Sequence, residues 1–495
     1  MHRRNVCPLV VLLVFYLATR LCNPLSVPIF SDEGIYMSWG NALFDRLERE
    51  FPFYIAIDGK QTAVPITYGL AQIVPFDPLR TTRLVSIFWG AVASVATFLS
   101  FSLLFPQMKS GAFVVLLIFT PFTLFFDRLA LPDVEVVASY SLSFYFTCRL
   151  YNKFSLKTCA MVGLVIGLGW WYKSSALFAI PSFLVTLCFF KIKRVISWRH
   201  LIISTAITII SCLVVMLPLL LQPLYQSSPM KDTLRLSLSG PSSELVIPKI
   251  VRQIFDISQW LVNFVSPFAI IAFTLAIVMV KKYKNGIIPL VWFVVPIILS
   301  VFFLTQLTTR WLLLAVPPFL VLAGYTLSQN SKALRIFTCI TLIYHVLVTT
   351  LLIIRPLKFY TTLVVLPALK RDLAQYFMGW TSGYGVKEAA DWILEKAKER
   401  EVIVFLRLES GNPTDALFAY LRGKENVLVA PEQYFWNDVF DNEDFLKDPN
   451  RPELYFISRG QSMGNMSMVT KEAIRFPKPL DPEFIGIYEI ELPKS

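Results

Sequence analysis

Apolar residues occupy this chain in long runs as far as about residue 355, and no such run follows. The runs fall near residues 6–22, 84–105, 111–126, 134–151, 157–172, 175–190, 200–221, 259–280, 287–304, 310–327 and 334–354. A helix needs about 20 apolar residues to cross the hydrocarbon of a bilayer. The pattern therefore predicts about 11 transmembrane helices in residues 1–355. Two of the runs, 157–172 and 175–190, are short and separated only by Lys173-Ser174. They are expected to form a tight helical hairpin whose tip does not fully emerge.

Between the runs, two stretches are long: residues 24–83 and 222–258. In the first, Ile35, Trp39, Leu43, Leu47 and Phe51 recur every four residues, with Asp45, Glu48 and Glu50 between them. That spacing predicts an amphipathic helix lying on the membrane surface. In the second, residues from Val246 to Trp260 again carry helical apolar spacing.

After an interfacial linker at 356–379, the pattern changes period. Val386, Ala389, Ala390, Ile393 and Ala397 are spaced for a helix, and Val402-Ile403-Val404-Phe405-Leu406 for a strand. A short helix is expected after Pro413. Strand-like segments follow at Val427-Leu428-Val429, at Leu454-Tyr455-Phe456-Ile457 and from Ile485 to Leu492. Residues 380–495 are thus expected to form a small α/β domain.

Composition and charge turn this pattern into a topology. Only 16% of the residues are charged, against about 25% for an ordinary soluble domain. The net charge of +12 does not point to nucleic acid, because the excess lies in short loops between apolar runs. With a cytoplasmic N-terminus, the inner loops are 106–110, 149–157, 191–199, 281–286 and 328–335. They hold Lys109, Arg149, Lys153, Lys157, Lys191, Lys193, Arg194, Arg199, Lys281, Lys282, Lys284, Lys332 and Arg335, and no Asp or Glu. This is the distribution the positive-inside rule expects. It puts the acidic residues, the two long loops and the C-terminal domain on the extracytoplasmic side of the cytoplasmic membrane. The seven cysteines all lie in or beside apolar runs, so neither a disulfide framework nor a Cys-based metal site is expected.

Candidate chemistry lies on that outer side. Ser31-Asp32-Glu33-Gly34 follows the first span. One carboxylate there would serve as a helix cap, and two exceed what capping needs. Asp127-Arg128-Leu129-Ala130-Leu131-Pro132-Asp133 forms the turn before the fourth span, with Glu135 just inside it. Asp127 and Arg128 read as a surface pair, and Asp133 as either a cap or a second functional carboxylate. Lys60, Arg83, Lys173 and Arg310 are cations on the same side. A lone Lys deep in lipid costs about 2.5–3.5 kcal/mol on insertion scales. Lys173 is therefore expected to have a partner, a protein carboxylate or a bound anion. Acids suit a general base acting on a hydroxyl acceptor, and cations suit an anionic leaving group. A lipid-phosphate-linked sugar meets both needs.

The arrangement resembles the GT-C superfamily of polyprenyl-phosphate-sugar glycosyltransferases, in the branch of protein O-mannosyltransferases and aminoarabinose transferases. The resemblance covers about residues 1–355. Asp32-Glu33 looks like the acidic motif after the first span. Lys60-Gln61-Thr62-Ala63-Val64-Pro65 looks like the Lys-containing motif of the same loop, with the proline displaced. Arg128 to Asp133, Lys173, and Arg310 to Pro318 are similar to three further motifs. Gly379 to Gly385 looks like the tail of related bacterial membrane glycosyltransferases.

The resemblance implies an inverting transfer from a polyprenyl-phosphate-sugar donor to a hydroxyl on a protein, glycan or lipid, with the sugar and acceptor unspecified. It implies Asp32 as the base, and Glu33 and Asp133 orienting the acceptor or a metal. Lys60, Lys173, Arg310 and, less directly, Arg83 would bind the donor phosphate, with Tyr36, Asp127 and Arg128 in support. Asp32 and Asp133 leave room for a divalent cation such as Mg or Mn, which carboxylates without His would suit. The alternative is a transporter or flippase of a lipid-linked anion. Such proteins usually show repeats and charges near the bilayer midplane, and neither pattern is visible here.

Overall fold

The computed structural model describes residues 6–45, 61–223, 246–280, 284–304, 307–363, 367–407, 409–440, 442, 445, 448, 450–460, 464–480 and 482–491. The chain divides into two compact units. One comprises Met1–Pro24, Arg49–Val64 and Arg83–Leu369; the other comprises Leu25–Glu48, Pro65–Thr82 and Lys370–Ser495.

The first unit is helical, and each apolar run of the sequence is occupied by helix. In chain order, α1 (Val6–Leu21) is followed by α2 (Ser31–Asp45) and α3 (Ala63–Gln72), which fall wholly or mainly in the second unit, and then by the long α4 (Pro78–Leu104). The third run is broken into α5 (Gly111–Ile118) and α6 (Pro121–Asp127), after which α7 (Pro132–Asn152) starts. The breaks are sequence-coded. Pro121 and Pro132 each sit in the first turn of their helix, where proline's missing N–H costs nothing. Next come α8 (Leu156–Trp170), a 3-10 turn at Ser174–Phe178, α9 (Ala179–Ile192) and α10 (Trp198–Leu220). The body closes with α11 (Val246–Trp260), α12 (Pro267–Val280), α13 (Ile287–Phe303), a 3-10 segment at Thr309–Ala315, α14 (Val316–Leu327), α15 (Lys332–Ile354) and α16 (Pro356–Leu363).

Among the described residues, five helices are long and apolar enough to span a bilayer, or six if the bent pair at 247–279 counts as one span. The expected eleven is not reached by that criterion. Prolines, 3-10 turns and polar positions interrupt the other runs, and α1, α8 and α13 are apolar but shorter. The chain is an integral membrane protein. Every residue of α14 is buried, so α14 is a core helix, whereas only 22% of the apolar window of α10 is buried. Close packing of α8 on α10 depends on glycine. A Cβ on Gly163 would lie 2.1 Å from the Thr208 carbonyl oxygen, and one on Gly167 would lie 2.8 Å from that of Cys212. Small residues four apart let membrane helices approach this closely.

The second unit holds a five-stranded sheet. Its strands are β1 (Val402–Leu406), β2 (Val427–Pro431), β3 (Glu453–Arg459), β4 (Thr470–Pro477) and β5 (Phe484–Ile490), in the order β2-β1-β3-β5-β4. β1 is parallel to β2 and β3, while β5 is antiparallel to β3 and β4. β1 is buried throughout, as expected for a parallel strand covered on both faces. Helices Val386–Lys396 and Thr414–Leu421 contribute Ala389, Ile393, Leu417 and Leu421 to one core. Phe435, Val439 and Met466 contribute to the core that includes Phe405 and Phe456.

Helix α2 belongs to this second unit, and its buried face differs from the expected one. Glu33, Tyr36, Met37 and Gly40 are buried, while Ile35 and Trp39 are only partly so. The reason is tertiary packing: Gly34 lets α2 approach the helix at 414–421, where an added Cβ would lie 3.0 Å from the Ala416 nitrogen. The expected extension of this helix to Phe51 lies outside the described residues, as does most of the 222–258 loop before α11.

Candidate active site

In the membrane body, three segments distant in sequence bring one acid and two cations together. Pro132 starts α7 and places Asp133 in its first turn, where a carboxylate meets the positive end of the helix dipole. Lys173 precedes the 3-10 turn after α8, and its Nζ donates to Asp133 Oδ1 at 2.7 Å. Arg310 opens the 3-10 segment before α14, and its guanidinium lies 3.9 Å from Asp133 Oδ2. That is an ion-pair distance and is longer than a hydrogen bond. The ammonium of Lys173 also sits 4.6 Å from the centre of the Trp311 ring, within cation–π range. These three charged side chains carry a net charge of +1. The carboxylate is nearly buried, with 6% of its side chain exposed, against 23% for Lys173 and 15% for Arg310. Lys173 thus has the partner its position demanded, and that partner is Asp133. Both carboxylate oxygens of Asp133 face cations. Among the described residues, no group of three His, Cys, Asp or Glu is gathered for a metal ion.

The other residues of the Asp127–Asp133 turn act differently from the expected surface pair. Asp127 is buried and faces Arg20, with Arg20 Nε 3.4 Å from Asp127 Oδ2. Tyr16 donates to the same oxygen at 2.8 Å. Arg20 also donates to the Ile118 carbonyl and, at 3.2 Å, to Thr123 Oγ1. Arg128 instead donates to the backbone carbonyls of Cys22 and Asn23. Arg83 is fully buried and donates to the Pro24 carbonyl at 2.7 Å. Two guanidinium groups therefore grip the chain just after α1, where Asn23 has a φ of 51°. These contacts make Arg83 and Arg128 clamps on the backbone. Arg20 was missed by pattern reading because it lies inside an apolar run. An arginine within a spanning segment was itself the signal.

In the second unit, Asp32 and Glu33 occupy the first turn of α2. Glu33 is buried and accepts from the Phe30 backbone N–H at 2.8 Å. This is the carboxylate half of a capping box, in which the third helical residue reaches back to the N-cap. Asp32 is half-buried. Ser31, beside it, donates its N–H to the Thr381 carbonyl at 2.9 Å. Phe30 pairs with Ser382 in a short antiparallel bridge. Tyr36 is buried against Trp39 and Tyr68, with ring centroids 6.1 and 6.2 Å away. Lys60 lies outside the described residues.

Comparison with known proteins supplies the family context. Residues 68–221 match the family model of dolichyl-phosphate-mannose-protein mannosyltransferase. No curated protein matches the sequence. Among solved structures, the chain resembles ArnT from Cupriavidus metallidurans bound to undecaprenyl phosphate. The TM-score is 0.62 at 11% identity, over 97% of both chains. The fold is the one seen in that ArnT structure. The apo state of the same ArnT gives a TM-score of 0.59 at 11% identity, also over 97% of both chains. The structural resemblance extends to the Archaeoglobus fulgidus oligosaccharyltransferase in complex with Zn and sulfate. There the TM-score is 0.51 at 13% identity, covering 91% of this chain and 67% of that one.

Proposed function

We propose that this protein is a GT-C glycosyltransferase that moves a sugar from a polyprenyl-phosphate donor to a hydroxyl-bearing acceptor on the extracytoplasmic face. The observation that carries the reading is the convergence of Lys173 and Arg310 on Asp133 in a GT-C fold. A leaving lipid phosphate gains negative charge as its bond to the sugar breaks. Two fixed cations held beside one acid supply a net positive field for that charge. Asp133 holds Lys173 in place and keeps the site from carrying two uncompensated charges before the donor binds. Lys60 is read as a further phosphate ligand, by resemblance.

The reaction is a single displacement. Asp32 takes the proton from the acceptor hydroxyl, and the acceptor oxygen attacks the anomeric carbon. The bond from that carbon to the phosphate oxygen breaks, its electron pair stays with the phosphate, and the anomeric configuration inverts. Glu33, already engaged as a cap, orients the start of α2 and so the carboxylate beside it. Tyr36 packs that helix. Arg83, Arg128 and the Asp127–Arg20 pair hold the chain after α1 and the turn before α7. The orientation follows from the basic inner loops: N-terminus cytoplasmic, sheet domain outside.

The test is the Asp32→Asn protein, purified folded in detergent and assayed with labelled donor. Donor binding is expected to persist while transfer falls at least a hundredfold. Full transfer activity in the variant would exclude Asp32 as the base.

A further inference from the structure

Residues 61–76 carry no charged side chain and are flanked in sequence by Lys60 and Asp77. Helix α3 occupies most of this stretch, and its two faces differ. Tyr68 and Gly69 are buried, and they lie on the side that meets α2. A Cβ on Gly40 would lie 2.7 Å from the Gly69 Cα, so α2 and α3 cross at backbone contact. Gln72 Nε2 donates to the Met37 carbonyl at 3.1 Å and fixes the register of that crossing. Beyond α3, Asp77 turns the chain into α4. Its Oδ1 accepts from the Arg80 backbone N–H at 3.0 Å, and its Oδ2 lies 3.3 Å from Lys387 Nζ on the helix Val386–Lys396. Leu79 is buried in the core that this helix shares with the sheet. One side of residues 68–79 is thus fastened to α2 and to the sheet domain. The other side is a ridge of Leu70, Ile73, Val74 and Phe76. All four are exposed, Ile73 by 64% and Phe76 by 71%.

We propose that this ridge is a membrane anchor, inserted at the headgroup–acyl boundary of the leaflet that α4 enters, and that it sets the height of the first turn of α2 above the bilayer. A contiguous set of exposed apolar side chains marks a contact with a protein or with a membrane. Two observations choose lipid. The ridge ends one residue before α4, which is long and apolar enough to span the bilayer. The chain therefore reaches the membrane directly after Phe76. A protein-binding patch also has a polar rim, whereas this segment is uncharged from residue 61 to residue 76. The charge that closes it, Asp77, is turned toward Lys387 and the α4 backbone. An apolar face of this kind sinks about 5–10 Å into the boundary between headgroups and acyl chains. The consequence for catalysis rests on the transfer reading above. Asp32 lies in the first turn of α2, and the Gly40–Gly69 crossing locks α2 to α3. An anchored α3 holds the base at a set distance from the plane in which a lipid-linked donor presents its sugar.

The test places the full chain in vesicles of phosphatidylcholine and phosphatidylglycerol, with a fluorescent amino acid in place of Ile73, Phe76 or, as control, Lys471. Lys471 is on β4, and its side chain is 74% exposed. Brominated lipid should quench the probes at 73 and 76 about twofold or more above the control, and aqueous iodide should do the reverse. The kinetic arm uses the Ile73→Ser/Phe76→Ser double variant. Both side chains are exposed, so its unfolding midpoint in detergent should match the wild type. With a polyprenyl-phosphate sugar in vesicles, KM should rise about tenfold at unchanged kcat, the pattern of lost uniform binding. With a water-soluble, short-chain prenyl-phosphate sugar, KM should not change. Iodide quenching at 73 and 76 equal to the control would overturn the proposal, as would shielding from both quenchers, which marks a protein partner. An unchanged KM for the long-chain donor, or an equal rise for the soluble one, would overturn it too. Should the wild type transfer sugar from neither donor, the transfer reading fails, and quenching alone decides the anchor.

Discussion

Lys173 shows how far a single residue can be read. Its place at a hairpin tip in apolar surroundings required a partner, and Asp133 provides one at 2.7 Å. The proposed role of Lys173 and Arg310 as phosphate ligands predicts a kinetic response. Lys173→Ala and Arg310→Ala should each slow transfer about a hundredfold, the usual scale for losing one donor to a developing anion. Steady-state kinetics on labelled donor checks this, and Lys173→Arg should recover part of the rate. The buried Arg20–Asp127 pair predicts an effect on stability. Arg20→Leu or Asp127→Leu alone leaves an uncompensated buried charge and should cost about 3–5 kcal/mol. The double variant should be less destabilised than either single one, as measured by unfolding in detergent. Sequence pattern gave the acid at 127 its charge but not its partner, because Arg20 lies 107 positions earlier. Contacts of that range leave no mark on local periodicity.

At the scale of elements, the α8–α10 contact is the most exacting. Gly163→Leu should destabilise the body, since the side chain would have to displace the Thr208 carbonyl; overpacking of this kind costs about 1–3 kcal/mol or more. A lower midpoint of thermal unfolding would register it. Helix α11 is amphipathic as its spacing predicts, with its faces inverted relative to a soluble helix. Ile247, Val251, Ile254 and Phe255 are exposed, while Lys249, Gln253, Asp256 and Gln259 are buried. Gln253 donates to the Leu304 carbonyl at 3.1 Å. Periodicity reveals that a helix has two faces, and only the surrounding solvent decides which one turns inward. The expectation is that spin labels at Val251 and Ile254 report a lipid environment, whereas water accessibility there would contradict it. In the sheet, β1, β2, β3 and β5 were legible as apolar runs, and β4 was not. β4 is largely exposed, with charged Lys471, Glu472 and Arg475 along it, so it lacks the continuous apolar run that marks the others.

At the scale of the whole molecule, the division into an apolar body and an α/β domain was legible because lipid and water select opposite compositions. The number of spans was less legible. Hydropathy records where apolar residues accumulate, whereas prolines and 3-10 turns decide where a helix stays continuous. The acid-free basic loops are the basis for sidedness, and they predict that a reporter fused after residue 490 is extracytoplasmic while one at Lys153 is cytoplasmic. The fold alone is shared with proteins that handle lipid carriers, so the chemistry is what remains to be measured. The most direct measurement uses liposomes containing the purified protein, a labelled polyprenyl-phosphate sugar and a hydroxyl-bearing acceptor. The account predicts that the label moves to the acceptor as polyprenyl phosphate accumulates, and that this stops with Asp32→Asn. Movement of intact donor between the leaflets without cleavage would contradict it and identify a transporter.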